Sequence, residues 1–107
     1  MMSTKEEHYD QGFNFFAKGQ VEEAIAEYKK AVELDPQFTM AYLALSMAYE
    51  KKGMIDEAIE AIKRAIDLDP NDPLFHTSLS RFYQRKGMIP EAEREMAVAA
   101  SLQRGPF

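Results

Sequence analysis

A metal site or an acid–base pair in this chain would have to draw on His8, His76 and eighteen carboxylates, because its 107 residues include no Cys. Asp72, His76 and Ser80 follow one another at intervals of four, which outlines an acid, a base and a nucleophile on one helix face. Such a set works only with a reachable hydroxyl and an oxyanion donor beside it. Ser80 instead falls in a column of small residues expected to pack between helices, which points to a structural role. The pairs Glu6–Glu7 and Glu22–Glu23 stand where helices begin, and the positive end of a helix dipole accounts for them. The five Gly are isolated and make no phosphate-cradling loop. No catalytic constellation, metal site or cofactor is expected, and the enzyme reading has no residues behind it.

The elements that position these groups recur. Gly19, Gly53 and Gly87 are 34 residues apart. Ala24, Ala58 and Ala92 keep the interval, as do Ala31, Ala65 and Ala99, the aromatics Phe15, Tyr49 and Tyr83, and the small residues Gly12, Ser46 and Ser80. The chain therefore reads as one domain, 1–107, of three units: 5–38, 39–72 and 73–106. Within each unit, apolar residues at i, i+3 and i+7 predict two helices. A Gly marks the end of the first helix, acidic residues or Pro90 the start of the second, and Asp-Pro at 35–36 and 69–70 its end. The spans expected are 4–18, 21–34, 38–51, 55–68, 72–86 and 90–102. His8 and His76 share a column two units apart, so two helix layers, about 20 Å, separate them. That is too far to hold one ion.

These columns resemble the tetratricopeptide repeat, over all three units. Two departures are visible: His8, Tyr42 and His76 stand where the family often has Trp, and Arg104 stands where the first two units have Pro36 and Pro70. The resemblance implies an all-α fold, a right-handed superhelix of three helix-turn-helix hairpins (an α-solenoid). It also implies a concave groove, lined by the first helix of each unit, that takes peptide segments. Some members hold the terminal carboxylate of chaperones in a Lys/Asn/Arg clamp. The matching positions here are Tyr9, Phe13, Ala44, Leu74 and Ser78, none of which is a clamp residue.

Mapped on this chain, the groove falls on Tyr9, Phe13 and Phe16 in unit one, Met40, Leu43, Met47, Glu50 and Lys51 in unit two, and Thr77, Ser78, Arg81, Gln84 and Arg85 in unit three. Aromatics and Met followed by two Arg describe an apolar seat with a basic end. The competing reading is that Phe13, Phe16, Leu43 and Met47 only thicken the contact between first helices. Charge is uneven in the same sense. Residues 1–72 carry eight basic and fifteen acidic side chains, a net −7, and residues 73–107 carry five and three, a net +2. The expected partner is a protein or peptide, apolar with an acidic end.

Composition narrows the remaining classes. A formal charge of −5 disfavours a nucleic-acid partner, which brings phosphates to be neutralised. No apolar run approaches the roughly 18–20 residues of a membrane span, and no membrane partner is expected. The opening residues lack the pattern of a secretory signal, and zero Cys suits a reducing compartment; a cytoplasmic location is expected. The array is expected to lack the polar helix that usually caps such repeats. Met96, Ala99 and Leu102 are then expected to form an open face, covered either by Phe107 folding back or by a second chain in a weak homodimer.

Overall fold

The structure, a computed structural model, describes residues 4–105. Six helices follow one another: α1 (Lys5–Ala17), α2 (Val21–Leu34), α3 (Thr39–Lys51), α4 (Ile55–Leu68), α5 (Pro73–Arg85) and α6 (Ile89–Arg104). Among the described residues there is no strand. Each hairpin pairs one helix with the next, and α2 packs on α3 and α4 on α5 to join the hairpins. The result is an all-α solenoid of three stacked hairpins, 47 × 30 × 19 Å.

The repeated Gly sets the turn within each hairpin. Gly19, Gly53 and Gly87 have φ of 79°, 83° and 77°, a left-handed conformation that side chains with a Cβ disfavour. That conformation turns the next N–H back onto the helix: Gln20, Met54 and Met88 donate to the carbonyls of Phe15, Tyr49 and Tyr83, each at 2.9 Å. At the other ends, Thr4 caps α1 in a reciprocal pair with Glu7, and the Asp72 carboxylate accepts from the Leu74 N–H at 2.9 Å with Pro73 opening α5.

The small columns are buried without exception: Gly12, Ser46 and Ser80 on the first helices, Ala24, Ala58 and Ala92 on the second. The two backbones of a hairpin meet there. Ser80 Oγ donates to the Ala92 carbonyl at 2.7 Å, which spends the hydroxyl inside the hairpin and leaves none for nucleophilic chemistry.

One boundary and one face differ from expectation. Helix α6 runs past 102 to Arg104, because no Pro stands at 104 to stop it, and Gly105 (φ 71°) ends it instead. Ala99 does not lie on an open face. It is 2% exposed, as buried as Ala31 and Ala65, because this column points into its own hairpin rather than at the next unit. Leu102 is half-buried, and its equivalents Leu34 and Leu68 stay exposed even where a following unit is present. Of the four residues assigned to the open face, Met96 is exposed, and Phe107 lies outside the described residues.

Candidate functional site

The first helices α1, α3 and α5 stand side by side, and their shared face carries the residues singled out above. In α3, Met40, Leu43, Met47 and Glu50 recur at three- and four-residue intervals and form one stripe. Between α1 and α3 that stripe borders a recess of ≈ 140 Å³ lined by Tyr9, Phe13, Phe16, Tyr28, Met40, Leu43, Ala44 and Met47. Every side chain in its wall is apolar or aromatic. Leu43 is the buried floor. Phe13 and Met47 stand at the rim, 60% and 42% exposed, and Met40 joins them there. Tyr9 is fixed by its neighbours, its ring centroid 5.8 Å from that of Tyr28 and 5.2 Å from that of Phe38. Burial, with Tyr9 beside it, pushes the Tyr28 phenol up to about 12, so it stays neutral and adds no charge to the wall.

The recess brings together six of the eight residues expected from units one and two and leaves Glu50 and Lys51 outside. It also draws in Tyr28 and Ala44, which the sequence reading left out of the groove. Tyr28 belongs to a second helix and reaches in from behind. That follows from the Gly at position 12, since an ideal Cβ there would come within 2.6 Å of the Tyr28 ring. A Gly facing the largest residue of its column was the available signal.

Of the unit-three residues Ser78 is buried, and Thr77, Arg81 and Arg85 form a separate group farther along the same face. Thr77 is half-buried and its hydroxyl donates to the Pro73 carbonyl at 3.0 Å. Arg81 and Arg85 are both held by Glu50. Arg81 donates through Nε and Nη2 to the two carboxylate oxygens at 3.0 Å each, a bidentate pair. Arg85 Nη1 lies 3.4 Å from the same carboxylate and donates to the Glu50 main-chain carbonyl. The hydrogen bond from Arg81, helped by Arg85, holds the Glu50 carboxyl below its usual range. Two guanidiniums against one carboxylate leave the cluster with one positive charge in excess, and Arg85 is the more weakly engaged.

The histidines are occupied elsewhere. His8 Nδ1 is 2.8 Å from Glu27, and His76 Nδ1 is 2.8 Å from Glu95, one hairpin partner each. His76 Nε2 also meets the Pro70 carbonyl at 2.9 Å. Both ring nitrogens of His76 thus face acceptors, which only the doubly protonated ring satisfies. Burial opposes that charge, but Glu95, the Pro70 carbonyl and Asp72 outweigh it and raise the ring above its ordinary value. Among the described residues no group of three His, Cys, Asp or Glu is placed to hold a metal, and no helix is long and apolar enough to cross a membrane.

The signature of the tetratricopeptide repeat matches residues 15–82, more than half of the chain. The chain belongs to the tetratricopeptide repeat family. Solved structures of the fold agree with this. A crystal structure of MamA is 27% identical, with a TM-score of 0.92 over 94% of this chain and 59% of that one. This tetratricopeptide chain therefore spans about three fifths of the MamA structure. The type III secretion chaperone SycD of Yersinia enterocolitica, in complex with a peptide of the translocator YopD, is 25% identical, with a TM-score of 0.89 over 94% and 77%. The second tetratricopeptide domain of Spaghetti, bound to an HSP90 peptide, is 23% identical, with a TM-score of 0.86 over 92% and 91%, a likeness of fold. No curated protein sequence matches the chain.

Proposed function

We propose that this tetratricopeptide domain is a non-catalytic interaction module that seats a peptide segment of a partner protein on the shared face of α1, α3 and α5. The observation that carries the reading is the predominantly apolar recess between α1 and α3, with Phe13, Met40 and Met47 exposed at its rim. Exposed aromatic and Met side chains gathered around a depression mark an interaction site, and Met adapts its shape to the ligand. The SycD structure, which holds a peptide on a similar array, supports the same use. The ligand is an apolar anchor residue followed by Asp or Glu: the anchor fills the recess, and the acid meets the excess charge beside Arg85. The setting is a reducing one such as the cytoplasm, which a cysteine-free chain suits. A second reading, weak self-association through the outward side of α6, is favoured by the exposure of Ile89 and Met96.

Selection from a random peptide display library tests the main reading. Enriched sequences combine one large apolar residue with nearby acids. Their affinity falls at least tenfold on Met47→Glu with helicity unchanged, and falls with added salt. Enriched peptides that bind the Met47→Glu variant as well as wild type would refute the groove assignment.

A further inference from the structure

The outward side of α6 departs from those of α2 and α4. On α2, Ile25 and Tyr28 are buried, and on α4 Ile62 is buried and Ile59 half-buried. Thirty-four residues on stand Glu93 and Met96, both exposed, Met96 at 43%. Two further marks of a hairpin junction are also missing. Glu22 and Asp56 pair with Lys52 and Lys86 of the following hairpin, and Pro90 stands in their column. Lys29 and Lys63 lie over the Tyr49 and Tyr83 rings at 6.0 and 5.9 Å, and Ala97 stands in theirs. A further hairpin docked in the same way would half-bury the Glu93 carboxylate where Ile59 stands in unit two, and would have to bring the cation to pair with it. This side of α6 thus lacks the residues that mark the two junctions before it.

Its charges and small residues are instead complementary to themselves when reversed in direction. At 100° per residue, Ile89, Glu93, Met96, Ala97, Ala100 and Arg104 share one stripe about 100° wide. The stripe has an acid near its start, a base at its end and two alanines between them. Glu93 and Arg104 are exposed, and neither has an ion-pair partner among the described residues. A second α6 running antiparallel brings Arg104 level with Glu93 twice and Ala97 level with Ala100 twice. The alanines admit an approach near the lower end of the ~8–10 Å range of packed helices. A parallel copy sets Glu93 against Glu93 and Arg104 against Arg104.

We propose that two copies of this chain associate through an antiparallel, two-fold pairing of α6 in which Glu93 of each meets Arg104 of the other across an Ala97–Ala100 contact. The proposal rests on the self-association reading and adds to it a register and a direction. One helix pair buries less than the ~1,200 Å² at the low end of specific interfaces, so the dimer is weak.

Sedimentation equilibrium on the full 107-residue chain, from micromolar to millimolar, tests it with charge reversals, each variant checked for unchanged helicity. Two-fold symmetry makes each substitution act twice, so Glu93→Arg or Arg104→Glu alone raises the dimer Kd about tenfold or more. The double reversal returns it to within about threefold of wild type, and an equimolar mixture of the two single variants forms the heterodimer. A wild-type monomer at millimolar concentration would overturn self-association altogether. A dimer indifferent to the single reversals would overturn the antiparallel register and leave self-association standing.

Discussion

Replacing Gly12 with Ala links the packing of the first hairpin to the recess. An ideal Cβ on Gly12 lies 2.6 Å from Tyr28 Cε1, 2.7 Å from Cδ1 and 3.1 Å from Cζ, about 0.8 Å short of an ordinary contact at the nearest atom. The ring must shift. Tyr28 is buried, with Tyr9 tilted against it, and the void beside it is the recess it helps to line. Two terms oppose each other. Ala in place of a mid-helix Gly gains ~1 kcal/mol of helix propensity. Overpacking a close contact costs ~1–3 kcal/mol. The expected net is a destabilisation of ~1 kcal/mol, read by urea unfolding, together with weaker binding of any peptide whose anchor fills the recess. Unit two supplies the control, since Ser46 and Ile62 occupy the columns of Gly12 and Tyr28 and both are fully buried. Gly12→Ser combined with Tyr28→Ile is therefore expected to be more stable than Gly12→Ser alone plus Tyr28→Ile alone would give by addition, by ~1 kcal/mol or more. If Gly12→Ala stabilises by the full propensity term with peptide binding unchanged, the ring yields freely and the reasoning is wrong.

Stability is expected to depend on His76. Its folded pKa is raised, so the folded chain holds a proton that the unfolded chain gives up more readily; the contribution is complete below about pH 6.5 and lost as pH rises through the raised value. Thermal unfolding between pH 5.5 and 8.5 should show this decline, and His76→Gln should flatten it. Glu50→Gln removes the carboxylate from two guanidiniums and is expected to raise affinity for acidic peptides selected on the wild type while leaving neutral apolar ones unaffected; equal effects on both, measured by fluorescence anisotropy, would count against the basic end of the site.

The helices were legible because their stop signals are local. Gly at the left-handed position and Asp-Pro after the second helix act within one turn, and five of the six spans match to within a residue at each end. Where the Pro was missing, at Arg104, the end of α6 was misplaced. The apolar half of the site was legible for a related reason: Tyr9, Phe13 and Phe16 lie on one face of α1, as Met40, Leu43 and Met47 do on α3, and repeat periodicity stacks the two. The pairing of Arg81 with Glu50 was not legible, because it joins residues 31 apart on different helices and depends on how far α5 slides along α3. The histidine pairs left a trace that could have been read. His8–Glu27 and His76–Glu95 share a spacing of 19, and unit two, with Tyr42 in place of His, has Ala61 in place of Glu. Ala99 was misassigned because a small residue on a helix gives no sign of which neighbour it faces.

The ladder of hairpin junctions has a consequence for how the chain comes apart. Its packing runs α1–α2, α2–α3, α3–α4, α4–α5 and α5–α6, with α1 also touching α3, and the Lys52–Glu22 and Lys86–Asp56 bridges repeat the same step. Free energy is then held in units and in the seams between adjacent units, as in a one-dimensional chain of coupled spins. Unit two shares both seams, while units one and three share one each. Within these residues, opening proceeds inward from either side: the α5–α6 hairpin can melt while the α1–α3 recess stays intact, and amide protons of α3 and α4 exchange last.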